Sequence, residues 1–125
     1  MPPAKRADLK ILIVDDDLTY LKLAESSLGK RGFSVHTAES GEDALAQINL
    51  DIPQVILLDV QMPRLTGDEL VRMITEWKPG IQVWMISSNL TPEIEQDCLE
   101  NGAFACLKKP VDFDQLARQI RESLN

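Results

Sequence analysis

Short apolar runs alternate with longer amphipathic ones along this chain. Lys10–Val14, Ser34–Ala38, Pro53–Leu58, Gln82–Ile86 and Ala105–Lys108 read as strands. Those around Ile11, Ile56 and Val83 are almost unbroken Ile, Val, Leu, Met and Trp, the pattern of strands covered on both faces. Between and after them the apolar positions recur at helical spacing. Leu21, Ala24 and Leu28 mark one helix, and Ala44, Leu45 and Ile48 the next. Leu70, Val71, Ile74 and Trp77 mark a third, with Trp77 read as an anchor onto the sheet. Ile94 with Cys98, and Leu116 with Ile120 and Leu124, mark the last two. Asp17 reads as the cap of the first helix. Ser40 with Asp43 and Thr66 with Glu69 have capping-box spacing, Thr91-Pro92 an N-cap followed by an N1 proline, and Gly32 and Gly102 sit where helices end. The order is (βα) repeated five times. Right-handed crossovers then require a five-stranded parallel sheet with helices on both faces, a doubly wound α/β fold.

Composition narrows the functions such a domain can carry. The 125 residues make one domain, with residues 1–8 a loose polar leader and the folded unit over 9–125. Thirteen basic against twenty acidic residues give a net charge of -7, which disfavours nucleic acid and anionic membrane as partners. No apolar run approaches a bilayer span, and the start of the chain has no signal-like apolar segment, so a cytoplasmic location is expected. Cys98 and Cys106, with a single histidine elsewhere, form neither a zinc signature nor a disulfide framework. His36 reads as an edge or surface histidine rather than a ligand.

In parallel α/β sheets the chemistry gathers outside the carboxyl ends of the strands. Here the first strand ends in Asp15-Asp16-Asp17, the third in Asp59, the fourth in Ser87-Ser88 and the fifth in Lys108-Lys109-Pro110. Carboxylates converging at one rim repel each other, and a hard divalent cation relieves that repulsion. A lysine and a hydroxyl on neighbouring strand ends complete a set that can stabilise a phosphoryl group while an aspartate attacks it. Alternation along a strand lets only one residue of each Ser-Ser and Lys-Lys pair face the rim.

The runs ILIVDDD, VILLDVQMPRLTG, VWMISS and LKKP together resemble the response-regulator receiver domain of two-component signalling, over about residues 9–125. The resemblance implies a flavodoxin-like receiver fold in which Asp59 is phosphorylated by a histidine kinase or histidine phosphotransfer protein. It implies a Mg2+ (or Mn2+) ion held by Asp15, Asp16, Asp59 and the backbone carbonyl of Gln61. Ser87 matches the switch hydroxyl and Lys109 the lysine that contacts the phosphoryl group, with a cis peptide at Lys109-Pro110. Met62-Pro63 and Gly67 match the loop after the acceptor, Gly67 supplying a conformation closed to other residues. Output is expected as a changed face for a downstream protein, with a homodimer formed on phosphorylation among the outcomes, and no enzyme activity beyond weak self-dephosphorylation. One departure stands out. The aromatic residue usual three positions before the lysine is Cys106 here, read as a small filler, and Phe104 lies two earlier, on the same face by alternation. Gln61 and Asn89 occupy positions that tune phosphoryl loss, and neither is a carboxylate.

Two other readings compete. Asp15-Asp16-Asp17-Leu18-Thr19 fits the D-x-D-x-T loop of haloacid-dehalogenase-like phosphohydrolases, with Asp15 the nucleophile and Asp17 the general acid. A receiver-like module that binds protein without taking phosphate is the other.

Overall fold

Strands β1 (Lys10–Val14), β2 (Ser34–Ala38), β3 (Val55–Asp59), β4 (Gln82–Ser87) and β5 (Ala105–Lys108) pair in parallel in the order β2-β1-β3-β4-β5. Helices α1 (Leu18–Gly29), α2 (Gly41–Leu50), α3 (Gly67–Trp77) and α4 (Pro92–Glu100) form the crossovers, and α5 (Phe113–Leu124) follows the last strand. The computed structural model describes residues 9–62 and 64–124; the leader expected over residues 1–8, Pro63 and Asn125 lie outside the described residues. The third strand starts at Val55 rather than Pro53, because proline has no N–H to give a ladder, and it runs on to include Asp59. The fourth likewise includes Ser87.

Period-two alternation explains why the strands are so apolar. On β1, Ile11 and Ile13 pack with Leu21, Ala24 and Leu28 of α1 and with Leu116 and Ile120 of α5. Leu12 and Val14 point the other way, into a second core with Ile48 of α2, Leu70 and Ile74 of α3 and Cys98 of α4. Each face of the sheet thus needs its own apolar set, and neither alternate position is free to be polar. Burial of the largest of these side chains contributes about 1.5–3 kcal/mol each. Trp77 departs from the expected anchor. As the last residue of α3 it lies beyond the turn that Ile74 buries, is 41% exposed, and carries the Lys78 ammonium 5.2 Å from its ring centroid.

All the helix starts with an assigned cap lie at the carboxyl rim of the sheet. Asp17 Oδ1 accepts from the N–H groups of Thr19 (3.0 Å) and Tyr20 (3.2 Å). Ser40 accepts from Asp43, and Thr91 from Ile94 with Pro92 in the first turn. Thr66 and Glu69 complete a reciprocal capping box, which holds the Glu69 carboxyl below its usual range. The β3–α3 loop is shaped by close approach. A side chain at Gly67 would put its Cβ 2.7 Å from the Asp59 carbonyl oxygen and 2.8 Å from Val60 Cα. Gly67 is therefore required for space rather than for the left-handed conformation expected of it; the left-handed residue of this loop is Arg64, at φ 66°.

Gly67→Ala is expected to cost about 1–3 kcal/mol in urea unfolding, because backbone cannot yield as a side chain does. Gly80→Ala, where a Cβ meets nothing within 4 Å, should change stability by under about 1 kcal/mol.

Candidate functional site

The chain leaves β1 towards β2 on one side and returns through β3 to extend the sheet on the other, which opens a crevice between the carboxyl ends of β1 and β3. The register pairs Val14 with Leu58, so Asp15, just past β1, and Asp59, the last residue of β3, come side by side at the rim. The Asp15 N–H is spent on the Ala38 carbonyl of β2 (3.1 Å) and that of Val60 on Ile86 of β4 (3.0 Å), which ties both acidic turns to their neighbours. Asp16 lies one residue further on and is exposed.

Carboxylate oxygens of Asp15, Asp16 and Asp59 all lie within 4.8 Å of one another. Asp15 is nearly sealed at 2% exposure, and both its oxygens are engaged. Oδ1 accepts from the Asp17 N–H at 2.9 Å, and Oδ2 from the Lys109 ammonium at 2.8 Å. Asp59 is less committed. Its Oδ1 accepts from the Gln61 N–H at 3.2 Å, and among the described residues its Oδ2 has no partner. Burial pushes the Asp59 carboxyl up to about 6, and the neighbouring Asp15 charge adds to the rise; the Gln61 N–H and Lys109 pull against it. The rim therefore holds more negative charge than one ammonium balances. Three carboxylates offering oxygens at this spacing are a donor set suited to a small hard cation.

Lys109 follows β5, joined to Pro110 by a cis peptide bond, and its N–H donates to the Ser87 carbonyl at 2.9 Å. Of the two lysines, Lys109 reaches the acidic cluster and Lys108 is exposed. Of the two serines, Ser87 is fully buried at the end of β4, its Oγ accepting from the Asn89 N–H at 3.1 Å, and Ser88 is exposed. The Gln61 backbone sits beside Asp59 through its N–H, and its side chain is exposed, as is that of Asn89. Asp17 serves as the α1 cap rather than joining the cluster.

The β5 face differs from alternation. Cys106 packs on the α2–α4 side of the sheet, whereas Phe104 stacks on Trp84 of the opposite core, ring centroids 5.3 Å apart. Phe104 precedes the first residue of β5, so the strand period does not govern it. Burial raises the Cys106 and Cys98 thiols, which suits fillers rather than reactive thiolates. Tyr20 was not singled out by sequence, yet its ring lies beneath the Lys109 ammonium, 4.2 Å from centroid to Nζ. It stands one residue before the core position Leu21, and its only signal was an aromatic in the first turn after the acidic run.

Comparison with known proteins identifies the family and the fold. The family model for the response regulator receiver domain matches residues 11–121. The transcriptional regulatory protein ZraR of Salmonella typhimurium is 32% identical over 119 residues, 95% of this chain and 27% of that protein. The sensor histidine kinase RcsC of Salmonella typhi is 34% identical over 113 residues, 90% of this chain and 12% of that protein. The chain thus spans about a quarter of the first relative's length and about an eighth of the second's. A solved receiver domain protein (CheY-like) from Methanospirillum hungatei superposes with a TM-score of 0.88 at 31% identity, covering 94% of each chain. With that fold, that strand-end set and the family match over nearly its whole length, the chain belongs to the response regulator receiver domains of two-component systems.

Proposed function

We propose that Asp59 accepts a phosphoryl group from a phosphohistidine of a histidine kinase or phosphotransfer protein, and that the modification changes a protein-binding face. The observation that carries this is the meeting of three carboxylates with one lysine at the β1/β3 switch point. An Asp59 oxygen attacks phosphorus, the histidine N–P bond breaks, and the nitrogen keeps the electron pair and takes up a proton. Attack needs the carboxylate, and a group titrating near 6 is mostly ionised at neutral pH. The donor set fits Mg2+ or Mn2+ held by Asp15, Asp16, Asp59 and the Gln61 backbone carbonyl. When bound, the ion supplies positive charge against the transferring oxygens. Lys109 turns from Asp15 to a phosphoryl oxygen, adding a charge-assisted hydrogen bond. Ser87 sits within the end of β4, where reorientation of its hydroxyl towards the phosphoryl group releases the Asn89 N–H and carries the change into the β4–α4 loop. With Cys106 in place of an aromatic, the signal reaches the outer face through that loop rather than through a swinging ring.

The phosphohydrolase reading assigns attack to Asp15, whose oxygens are both already bonded in a sealed position. Chemistry at Asp59 is the better fit. Among the described residues no helix is long and apolar enough to cross a membrane. We place the domain in the cytoplasm, where kinase partners present their phosphohistidine; release of the phosphoryl group to water is weak, and the product of the domain is an altered surface.

Incubation with a small acyl phosphate and Mg2+ is expected to add one phosphoryl group, located to Asp59 by mass spectrometry. Asp59→Asn abolishes the label; a label that survives this change and disappears with Asp15→Asn would move the chemistry to Asp15. Lys109→Ala should weaken binding of beryllofluoride, a phosphoryl mimic, about tenfold to a hundredfold in titrations followed by NMR.

The raised Asp59 carboxyl also predicts a pH dependence. Between the unfolded value of 3.8 and the folded value of about 6 the folded protein binds more protons. Stability of the metal-free domain therefore falls as pH rises through this window and is lower by a constant amount above it. Asp59→Asn should remove that loss, making the metal-free variant about 1–2 kcal/mol more stable at pH 7.5 after allowance for solvent screening, with the difference vanishing near pH 4. Urea unfolding across pH measures it.

A further inference from the structure

Lys109 has a flexible stem and, at its tip, one carboxylate partner, the Asp15 Oδ2 at 2.8 Å. Any cation or phosphoryl group that engages the acidic cluster alters that bond. A second, uncharged holdfast would keep the ammonium at the rim while its ionic partner changes. Tyr20 is placed to be one. Its ring centroid lies 4.2 Å from Nζ, inside the distance at which a ring face attracts an ammonium. The backbone beneath it is fixed, because the Tyr20 N–H donates to the Asp17 Oδ1 that caps α1. The ring itself is half-buried and packs against the core that α1 and α5 form with one face of the sheet. Its hydroxyl is buried with no hydrogen-bond partner among the described residues. Burial, with the Asp15 and Asp59 charges behind it, pushes the phenol up to about 12, so the ring stays neutral.

We propose that Tyr20 is a positioning residue for Lys109, its ring face seating the ammonium at the rim and retaining it as the lysine passes from Asp15 to the phosphoryl group on Asp59. The proposal rests on the phosphoacceptor reading above. It assigns the work to the ring and none to the hydroxyl. An aliphatic side chain of similar length would fill the same half-buried space but would offer the ammonium no face of negative potential.

The test compares Tyr20→Leu with Tyr20→Phe in the full chain. In proton NMR of the metal-free protein, the Lys109 ε-methylene protons should lie upfield through the ring current, remain there in Tyr20→Phe and move to ordinary positions in Tyr20→Leu. In titrations with Mg2+ and beryllofluoride, Tyr20→Leu should weaken apparent affinity about fivefold to tenfold, and Tyr20→Phe should restore it to within about twofold. In a Lys109→Met background Tyr20→Leu should have no further effect, since there is no ammonium to seat. Loss in Tyr20→Phe as large as in Tyr20→Leu would overturn the proposal by transferring the role to the hydroxyl. Equal losses with and without Lys109 would overturn it by reducing Tyr20 to a packing residue. Wild-type protein that binds beryllofluoride, with Tyr20→Leu unchanged, would remove the role of Tyr20 alone. Wild-type protein that binds none, with the lysine protons still upfield, would remove the phosphoacceptor reading and the handover together.

Discussion

Repulsion between carboxylates held side by side is the constraint around which this domain is arranged. Asp15 and Asp59 are held together because each stands at the end of a central strand, Asp15 just past β1 and Asp59 as the last residue of β3, and apolar side chains on both faces set the register. A one-residue slip of β3 would carry Ile56 and Leu58 into the opposite core and Asp59 off the rim. The fold therefore enforces a close approach that the acids by themselves would avoid. The Asp59 carboxyl is raised chiefly by its burial, and the charge of Asp15 adds to the rise.

Lys109 relieves part of the strain, and its own placement depends on the sheet. Its N–H donates to Ser87, the last residue of β4, and its ammonium reaches across to Asp15 beyond β1, so it bridges three strand ends. The lysine is committed to Asp15 rather than to Asp59, which leaves one Asp59 oxygen without a partner among the described residues. On the proposed reading, added charge at Asp59 would give the ammonium a new partner; the Ser87 hydroxyl, at the end of the adjoining strand, accepts from a single loop N–H.

The helices serve the same rim. Asp17, Ser40, Thr66 and Thr91 each cap a helix that starts at the carboxyl edge, so the positive ends of these helices lie on the same edge of the sheet as the acidic cluster. The loop after Asp59 is held close by Gly67, whose missing Cβ lets α3 start against the Asp59 carbonyl. What keeps the loop tight also keeps Asp59 in register with its neighbours.

Much of this was legible along the chain. Strands with no polar alternate position announce a sheet covered twice, and a cap residue followed by helical spacing announces each crossover, because both signals are local and periodic. Asp15, Asp16, Asp59 and Lys109 are legible together because each stands at or just beyond the end of a strand, and parallel strands bring their carboxyl ends to one edge. Tertiary structure alone decided the rest. That Lys109 pairs with Asp15, that Tyr20 lies beneath it, that Phe104 turns to Trp84 instead of sharing a face with Cys106, and that Trp77 overhangs the sheet are all contacts between distant segments or just outside regular elements. Periodicity says which face of a strand or helix a residue occupies, but not which of several neighbours a long side chain or a loop residue will reach. That choice depends on distances that exist only once the layers have packed.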